Sequence, residues 1–208
     1  MSTDDSQNPL LQAAAEDLLQ QELSEHRRVF EATALMLDPP FVEALAILHR
    51  AVRGGGKLLL FGNGGSAADA QHIAAELIVR YQADRAAISA IALTTDTSTL
   101  TACGNDLGFD AVFERQIEAL GRKGDAAVAI STSGNSANVL KGLNRARSMG
   151  LKTVGLTGGT GGKMRSACDA VIVVPSTVTA RIQELHGLIG HMLCKALEQR
   201  LGLVTAGP

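Results

Sequence analysis

The sequence predicts an α/β protein: a three-layer sandwich around a five-stranded parallel sheet, with a helical segment added at the N-terminus. Three observations support this prediction. Five short apolar runs alternate with helical patterns after residue 56, polar loops that contain glycine follow two of these runs, and residues 9–53 show only helical periodicity. Short continuous apolar runs are typical of buried strands, and strands that alternate with helices favour a parallel sheet.

The N-terminal part of the chain predicts a tail and two helices. The first residues are polar and predict a flexible tail. The apolar residues of 10–37 fall on one broad helical face, and Pro39 and Pro40 predict the end of that helix because proline lacks a backbone donor. Residues 41–53 then predict a second helix. We therefore divide the chain into three segments: a tail at 1–8, N-terminal helices at 9–53 and an α/β domain at 54–203.

The α/β domain predicts strands and helices in alternation. The strands are expected at residues 57–61, 87–93, 126–130, 152–156 and 171–174. The helices are expected at residues 66–81, around 98–103, at 109–120, from the end of the polar loop 131–136 to 149, and at 177–201. A glycine turn is expected at residues 158–162.

Composition and charge narrow the class of protein. The 208 residues are 46% hydrophobic and 19% charged, which predicts one globular core rather than a disordered chain. The chain has 19 Lys and Arg against 21 Asp and Glu, a net charge of −2, with no Trp, one Tyr and five Phe. Because it has no basic excess and few aromatic residues, we expect no nucleic-acid partner.

The cell compartment is predicted from the N-terminus, the apolar runs and the cysteines. The first residues are polar and acidic, unlike a signal peptide, and no uninterrupted apolar run approaches the roughly 18–20 residues of a membrane span. Cys103, Cys168 and Cys194 are dispersed, so neither a disulfide framework nor a cysteine metal site is expected. The sequence therefore predicts a cytoplasmic protein with no membrane partner.

Two polar loops follow the first and third predicted strands. We call residues 62–66 (Gly-Asn-Gly-Gly-Ser) the glycine loop and residues 131–136 (Ser-Thr-Ser-Gly-Asn-Ser) the serine loop. In a flavodoxin-like strand order these strands flank the point where the order reverses, and ligands bind there. The glycine loop permits close approach of a ligand but lacks the lysine of a P-loop. By itself it is equally a plain strand-to-helix connection.

The serine loop is suited to a phosphate group. It places four hydroxyl groups and a glycine at the predicted N-terminus of a helix, where free N–H groups and the helix dipole favour an anion. Polar loops of this composition also occur for solubility alone. The pairing with the glycine loop at one switch point favours a phosphorylated ligand.

Four side chains on two predicted helices are candidates for one cluster. His72 and Glu76 are four residues apart and share a helical face, and His72 lies six residues beyond Ser66, roughly 9 Å along the axis. On the last helix, Gln183 and His191 also share a face. Imidazole and carboxylate groups suit Zn²⁺ or proton transfer between adjacent carbons. The alternative is a set of unrelated surface residues, and the spacing leaves both possibilities open.

Gly187 lies between Gln183 and His191 on the same helical face. A glycine in a helix interior costs about 1 kcal/mol relative to alanine. We therefore expect another group to approach the helix closely at Gly187.

Several further motifs run through the chain in order: residues 62–76, 104–106, 130–138, 156–158, 161–163, 181–186 and His191. Together they resemble the sugar-isomerase (SIS) fold and, more narrowly, the bacterial phosphoheptose isomerases. They recur in one order over nearly the whole chain apart from its ends, which makes the resemblance far more specific than any single motif. Ala180 is a departure, because some relatives have Asp there, so any role of that acid is absent or filled elsewhere.

This resemblance implies an enzyme and an assembly. It implies conversion of D-sedoheptulose 7-phosphate to D-glycero-D-manno-heptose 7-phosphate, the first step towards nucleotide-activated heptose. It also implies a homotetramer with active sites at subunit interfaces, in which the N-terminal helices help assembly. One Zn²⁺ ion per subunit is the implied cofactor.

The resemblance also assigns roles to residues. Glu76 and His191 would be the acid–base pair that moves a proton between C1 and C2 through an enediol. The zinc ligands would be His72, Glu76, Gln183 and His191. The substrate-binding residues would be Asn63, Gly64, Gly65, Glu76, Asn105, Asp106, Ser131, Thr132, Ser133, Ser136 and Gln183. A zinc-bound carboxylate is a poorer base, so either Glu76 leaves the metal during turnover or the metal is partly structural.

Two alternative functions remain open at this point. Proteins that resemble this fold include non-catalytic ones, which associate with the bacterial replication initiator or sense sugar phosphates, and isomerases of other sugar phosphates. The presence of both Glu76 and His191 favours an enzyme over a binding protein. The match around Gln183 and His191 favours a heptose phosphate over other sugar phosphates.

Overall fold

Five parallel strands form the middle layer of the protein in the computed structural model. The structure describes residues 9–205, so the predicted tail at 1–8 lies outside the described residues. The strands are β1 (Leu58–Gly62), β2 (Ala90–Ala92), β3 (Ala126–Ser131), β4 (Lys152–Gly158) and β5 (Ala170–Val174). Their order in the sheet is β2-β1-β3-β4-β5. The predicted flavodoxin-like order is therefore confirmed.

Seven helices accompany these strands in the described chain. They are α1 (Pro9–Arg53), α2 (Gly65–Ile78), α3 (Thr97–Asp106), α4 (Val112–Leu120), α5 (Ala137–Ser148), α6 (Met164–Ala167) and α7 (Thr179–Arg200), with a short 3-10 turn at Phe109–Ala111. The one-turn helix α6 follows the expected glycine turn and has no counterpart among the sequence predictions.

The helices cover both faces of the sheet, as the three-layer prediction requires. Leu58 and Leu60 of β1 point into one core with α1, α2 and α7, whereas Leu59 and Phe61 point into the other core with α3, α4, α5 and α6. Successive residues of a strand face opposite sides of a sheet, so a strand buried on both sides is apolar throughout. This explains why the strands were recognisable as continuous apolar runs.

The strand order places the two polar loops next to each other. β1 pairs with both β2 and β3, and Gly62 at the end of β1 is in register with Ile130 of β3. The chain runs outward in one direction from β1 to β2 and in the other direction from β3 to β5. The glycine loop and the serine loop therefore leave the sheet at the reversal point, where open α/β sheets bind ligands.

The prediction of two separate N-terminal helices is wrong, because α1 is continuous through Pro39 and Pro40. The two prolines remove the donors that the carbonyls of Leu35 and Met36 would otherwise use in the helix. Leu35 and Met36 are 90% and 54% exposed, so water can take the place of the missing donors. Packing of the following turns on the sheet outweighs the local cost of about 3 kcal/mol for each proline.

The first half of α1 leaves a row of apolar side chains exposed. The row comprises Leu10, Leu11, Leu18, Leu19, Leu23 and Phe30, each between 44% and 82% exposed. In the described chain one helix, Leu10–Arg53, has the length and composition to cross a membrane, with a mean hydropathy of 1.2 in its best window and 28% of that window buried. Such a window is also typical of a helix that packs against other protein.

Candidate active site

The glycine loop and the serine loop are bound together by two asparagines. The side-chain amide of Asn63 donates to Asn138 Oδ1 at 2.8 Å, and that of Asn138 donates back to Asn63 Oδ1 at 2.9 Å. Asn138 lies in the first turn of α5, directly after the serine loop, and is buried. This reciprocal amide pair fixes the distance between the two loops, a role that the sequence analysis did not assign to Asn138.

The serine loop is a tight turn whose hydroxyl groups lie close together. Gly134 has φ +64°, and a Cβ at this position would overlap the carbonyl of Gly161. Ser131 Oγ and Ser136 Oγ are 3.0 Å apart, and Ser136 precedes α5 without capping it through its side chain. The turn therefore gathers hydroxyl groups at a helix N-terminus, the arrangement that favours a phosphate group.

A cavity of about 720 Å³ opens beside the serine loop. Thr132 and Ser133 line it on one side and Ser176 on another, while α1 contributes Glu25 and Arg28. Its volume is in the range of small-molecule sites. His72, Glu76 and His191, which are described next, do not line this cavity. The cavity and these three side chains are therefore separate features of the site.

His72, Glu76 and His191 come together as predicted. The two histidine Nε2 atoms are 2.7 Å apart, and His72 Nε2 is 3.7 Å from Glu76 Oε1. One nitrogen atom of each histidine and one oxygen atom of Glu76 all lie within 4.8 Å of one another. We call these three side chains the His–Glu cluster. The interpretation of these residues as unrelated surface side chains is therefore wrong.

The donor set of the His–Glu cluster fits a zinc ion. Two imidazole nitrogens and one carboxylate oxygen are the ligand types of catalytic zinc sites, which use three protein ligands and keep one position open. Glu76 Oε2 is buried and has no hydrogen-bond partner among the described residues. A buried carboxylate oxygen without a partner is costly, and a bound cation would satisfy it.

Asp69 lies one helical turn before His72, with its Oδ2 atom buried and unpartnered in the described structure. Burial raises the pKa of Asp69 above its ordinary value, and the nearby charge of His72 partly lowers it. Asp69 was not among the candidate metal or catalytic residues that the sequence predicted.

Gln183 lies against the glycine loop. A Cβ on Gly65 would overlap the side-chain amide of Gln183, so the glycine allows α7 to approach the start of α2. The structure thus brings Gln183 to the predicted substrate-binding loop. Its assignment as a fourth metal ligand beside His72, Glu76 and His191 stays a prediction.

The close approach expected at Gly187 occurs at Gly190 instead. Within the described chain, nothing lies within 4 Å of a Cβ built on Gly187. A Cβ on Gly190 would lie 2.7 Å from the side chain of Ile73 on α2. Gly190 is therefore the residue that lets α7 and α2 pack closely and brings His191 to His72.

Asn105 and Asp106 lie at the end of α3 and are exposed. The side-chain amide of Asn105 donates to Asp106 Oδ1 at 2.7 Å. Among the described residues, neither side chain bonds to the glycine loop or the serine loop. Their assignment as substrate-binding residues stays a prediction.

Ion pairs at the start of α7 hold α1 next to the cavity. The buried Arg181 guanidinium donates to the backbone oxygen of Glu22 at 2.9 Å and also to the carboxylate of Glu184, which His26 contacts at 2.7 Å. Burial raises the pKa of the Glu184 carboxyl, but the hydrogen bonds from His26 and Arg181 outweigh it and hold that pKa below its usual value. The charged form of Glu184 therefore ties the two helices together.

The class of protein is clear from this architecture and from comparison. The sequence profile of the SIS domain matches residues 23–158, a range that includes β1 to β4 and both loops. The chain is thus a SIS-domain protein.

Comparison with individual proteins narrows the class. A phosphoheptose isomerase of Paramagnetospirillum magneticum is 54% identical over 180 residues, which cover 86% of this chain and 94% of the relative. One from Rhodospirillum rubrum is 56% identical over 163 residues, 78% of this chain and 87% of the relative. The structure of the Neisseria gonorrhoeae phosphoheptose isomerase matches with a TM-score of 0.84 at 42% identity, over 89% of this chain and 99% of that one. The chain belongs to the phosphoheptose isomerase family.

Proposed function

We propose that this protein is an aldose–ketose isomerase that converts D-sedoheptulose 7-phosphate to D-glycero-D-manno-heptose 7-phosphate. One observation carries the proposal: the Glu76 carboxylate faces the paired imidazoles of His72 and His191. Aldose–ketose exchange needs a base at carbon and an acid at oxygen, and a carboxylate with an imidazole supplies both. The family membership supports a heptose phosphate as the substrate.

The phosphate end of the substrate would bind at the serine loop. Hydroxyl groups and the free N–H groups at the start of α5 converge there on one small volume. The amide pair of Asn63 and Asn138 then holds the glycine loop at a fixed distance from the bound phosphate. This arrangement would orient the sugar so that its first carbons lie near Glu76 on α2.

Glu76 and His191 would move the proton. Glu76 removes a proton from C1 of the ketose while His191 donates one to the C2 oxygen, which gives an enediol. The O1 hydrogen then leaves to the deprotonated His191 as the C1 carbonyl forms, and Glu76 returns its proton to C2. Both groups end as they began, and the substrate is isomerised with no other reactant.

His72, Glu76 and His191 are the residues that would hold a Zn²⁺ ion, with Gln183 as the predicted fourth ligand. When bound, the ion would stabilise negative charge on the enediolate oxygens. Glu76 has a place in both roles, as ligand and as base, so its departure from the metal during turnover stays one of two possibilities. The other possibility is a partly structural metal.

We also propose a cytoplasmic homotetramer with its active sites at subunit interfaces. The exposed leucines on the first half of α1 support this proposal, because a second copy of the chain would cover them. The reaction would be the first step towards nucleotide-activated heptose.

The test is to incubate metal-loaded protein with sedoheptulose 7-phosphate and to follow the aldoheptose product by NMR, with a chelated sample alongside. We expect product from the loaded protein and less from the chelated one. Glu76→Gln should lower kcat by about 10²–10⁴-fold, the usual contribution of general acid–base catalysis, without changing the melting temperature greatly.

Glu43→Gln is the matched control, because Glu43 is an exposed glutamate on α1 and the same chemical change is made there. It should keep wild-type activity. Full activity of Glu76→Gln would contradict the catalytic assignment. No product from folded, metal-loaded protein would contradict the heptose substrate, and binding of sugar phosphates without turnover would point to a binding protein.

A further inference from the structure

We propose that Arg85, held by Glu198, is a positioning residue for the isomerase reaction, because it fixes the backbone at Glu76 relative to His191. The inference rests on the proposed function and concerns the same site. Neither Arg85 nor Glu198 belongs to the glycine loop, the serine loop or the His–Glu cluster.

Arg85 bridges the two helices that supply the His–Glu cluster. Its Nη2 donates to the backbone oxygen of Glu76 at 2.7 Å, and its Nε donates to Glu198 Oε1 at 2.8 Å. Its Nη1 donates to the backbone oxygen of Ala86 at 3.1 Å. The Arg85 and Glu198 side chains are 1% and 3% exposed, so the pair is protected from water.

The position of Glu198 on α7 connects this pair to His191. Glu198 follows His191 by seven residues, two helical turns, and therefore lies on the same side of α7. The same Glu198 oxygen accepts a hydrogen bond from the backbone N–H of Tyr81 at 3.2 Å. The Tyr81 ring packs against the His191 ring, with 5.4 Å between the ring centroids. We call Arg85, Glu198 and Tyr81 the clamp.

The backbone carbonyl of Glu76 needs a hydrogen-bond donor from outside its helix. α2 ends at Ile78, so the carbonyl of Glu76 is among the last four, which have no partner within the helix. Arg85 supplies that donor and fixes the last turn of α2 at the residue that bears the proposed base.

Stability alone is a poor explanation for this buried ion pair. Two charges lose their hydration on burial, and apolar residues of similar size hold helices together as well or better. A guanidinium is instead suited to holding groups at fixed positions, because its donors have fixed directions and can bind a carboxylate and a carbonyl at once. The clamp therefore sets distances at the reacting groups.

The test separates positioning from stability with two variants. Arg85→Met leaves the buried charge of Glu198 unpaired and should lower the melting temperature. Arg85→Met combined with Glu198→Met removes both charges and should restore most of that loss. In the double variant we expect kcat to stay reduced by about ten- to a hundredfold, because catalysis is sensitive to misplacement near 1 Å, with KM within about twofold of wild type.

The single tyrosine provides a readout that does not depend on turnover. The chain has one Tyr and no Trp, so its intrinsic emission and its tyrosine NMR signals report on Tyr81 alone. Both should change in the double variant, because the bonds that seat Tyr81 beside His191 are lost. Wild-type kcat or an unaltered tyrosine signal in the double variant would overturn the proposal.

Lys57 and Asp125 provide the matched control. Lys57 Nζ lies 2.6 Å from the buried Asp125 carboxylate, at the amino ends of β1 and β3 and thus at the opposite edge of the sheet from the site. Lys57→Met should lower the melting temperature and leave kcat and the tyrosine signal unchanged. Wild-type protein without turnover would overturn the proposed function itself, whereas an active wild type with a fully active double variant would overturn the clamp alone.

Discussion

His186 is a single buried side chain that packs beside the serine loop. It is fully buried in the first half of α7, and its ring Nε2 lies 3.2 Å from the carbonyl oxygen of Thr157 at the end of β4. Burial lowers the pKa of His186 to about 4, and the hydrogen bond to Thr157 only partly opposes this. The neutral ring therefore fills the space between α7 and the strand end beside the serine loop.

This lowered pKa predicts a pH-dependent stability. Above pH 6.5 His186 is neutral in both the folded and the unfolded chain, so it contributes no pH dependence there. As the pH falls from 6.5 to about 4, His186 binds a proton in the unfolded chain but not in the folded chain. The free energy of unfolding therefore declines by up to about 3 kcal/mol. Urea titrations between pH 7 and pH 4 measure the slope.

His186→Gln is the comparison for this prediction. Glutamine keeps a donor for the Thr157 carbonyl but has no titrating group, so its stability should decline less over the same pH range. An equal decline in both proteins would assign the pH dependence to other groups.

At the scale of elements, the contact between α2 and α7 decides whether the His–Glu cluster forms. Gly190 is the point of closest approach, whereas Gly187, one turn earlier, has free space around it in the described chain. The two glycines lie in the same helix, so substituting each in turn separates helix propensity from packing.

Gly190→Ala should destabilise the fold, because its Cβ would lie 2.7 Å from Ile73 and such overpacking typically costs about 1–3 kcal/mol. Gly187→Ala should stabilise it by about 0.5–1 kcal/mol, because alanine is the better helix former. Denaturant unfolding of both variants tests the pair. Destabilisation by Gly187→Ala would instead indicate that a second copy of the chain covers this face.

Prediction of elements from the sequence succeeded where one local pattern determines the structure. The buried parallel strands are apolar on both faces, so their number and alternation with helices were predictable. The continuation of α1 through Pro39 and Pro40 was not predictable, because packing of the later turns of α1 overrides the local cost of two prolines. His72 and Glu76 share a helix and were paired correctly from their spacing.

Partners that are distant in the sequence were outside the reach of local patterns. Asn63 and Asn138 are 75 residues apart, and Arg85 and Glu198 are 113 residues apart. Each pair exists only because the strand order brings its elements together. The resemblance to a known family supplied one such long-range pair, because it implied that Glu76 and His191 act together. It implied no role for Arg85.

At the scale of the whole molecule, the exposed leucines of α1 predict association between chains. Full burial of a leucine side chain gains about 1.5–3 kcal/mol, so several in one row favour an interface. Leu11→Glu combined with Leu18→Glu should lower the oligomeric mass measured by light scattering. It should also lower isomerase activity, because the proposed active sites lie at subunit interfaces.

Gln12→Glu combined with Gln21→Glu is the control for association. Both glutamines are exposed on the same helix, so the same charge is added without loss of apolar surface. An unchanged mass for the leucine variant would contradict an interface along this row. A monomeric wild type would contradict the proposed homotetramer.

The distance along the chain between His72 and His191 has a consequence for the newly made protein. These residues are 119 positions apart, and the second lies on the last described helix. Translation proceeds from the N-terminus, so a nascent chain complete only to β5 has both polar loops and lacks His191. Such a chain has the loops proposed to hold a phosphate before it has His191, the proposed acid, so the proposed reaction has to wait for the last described helix.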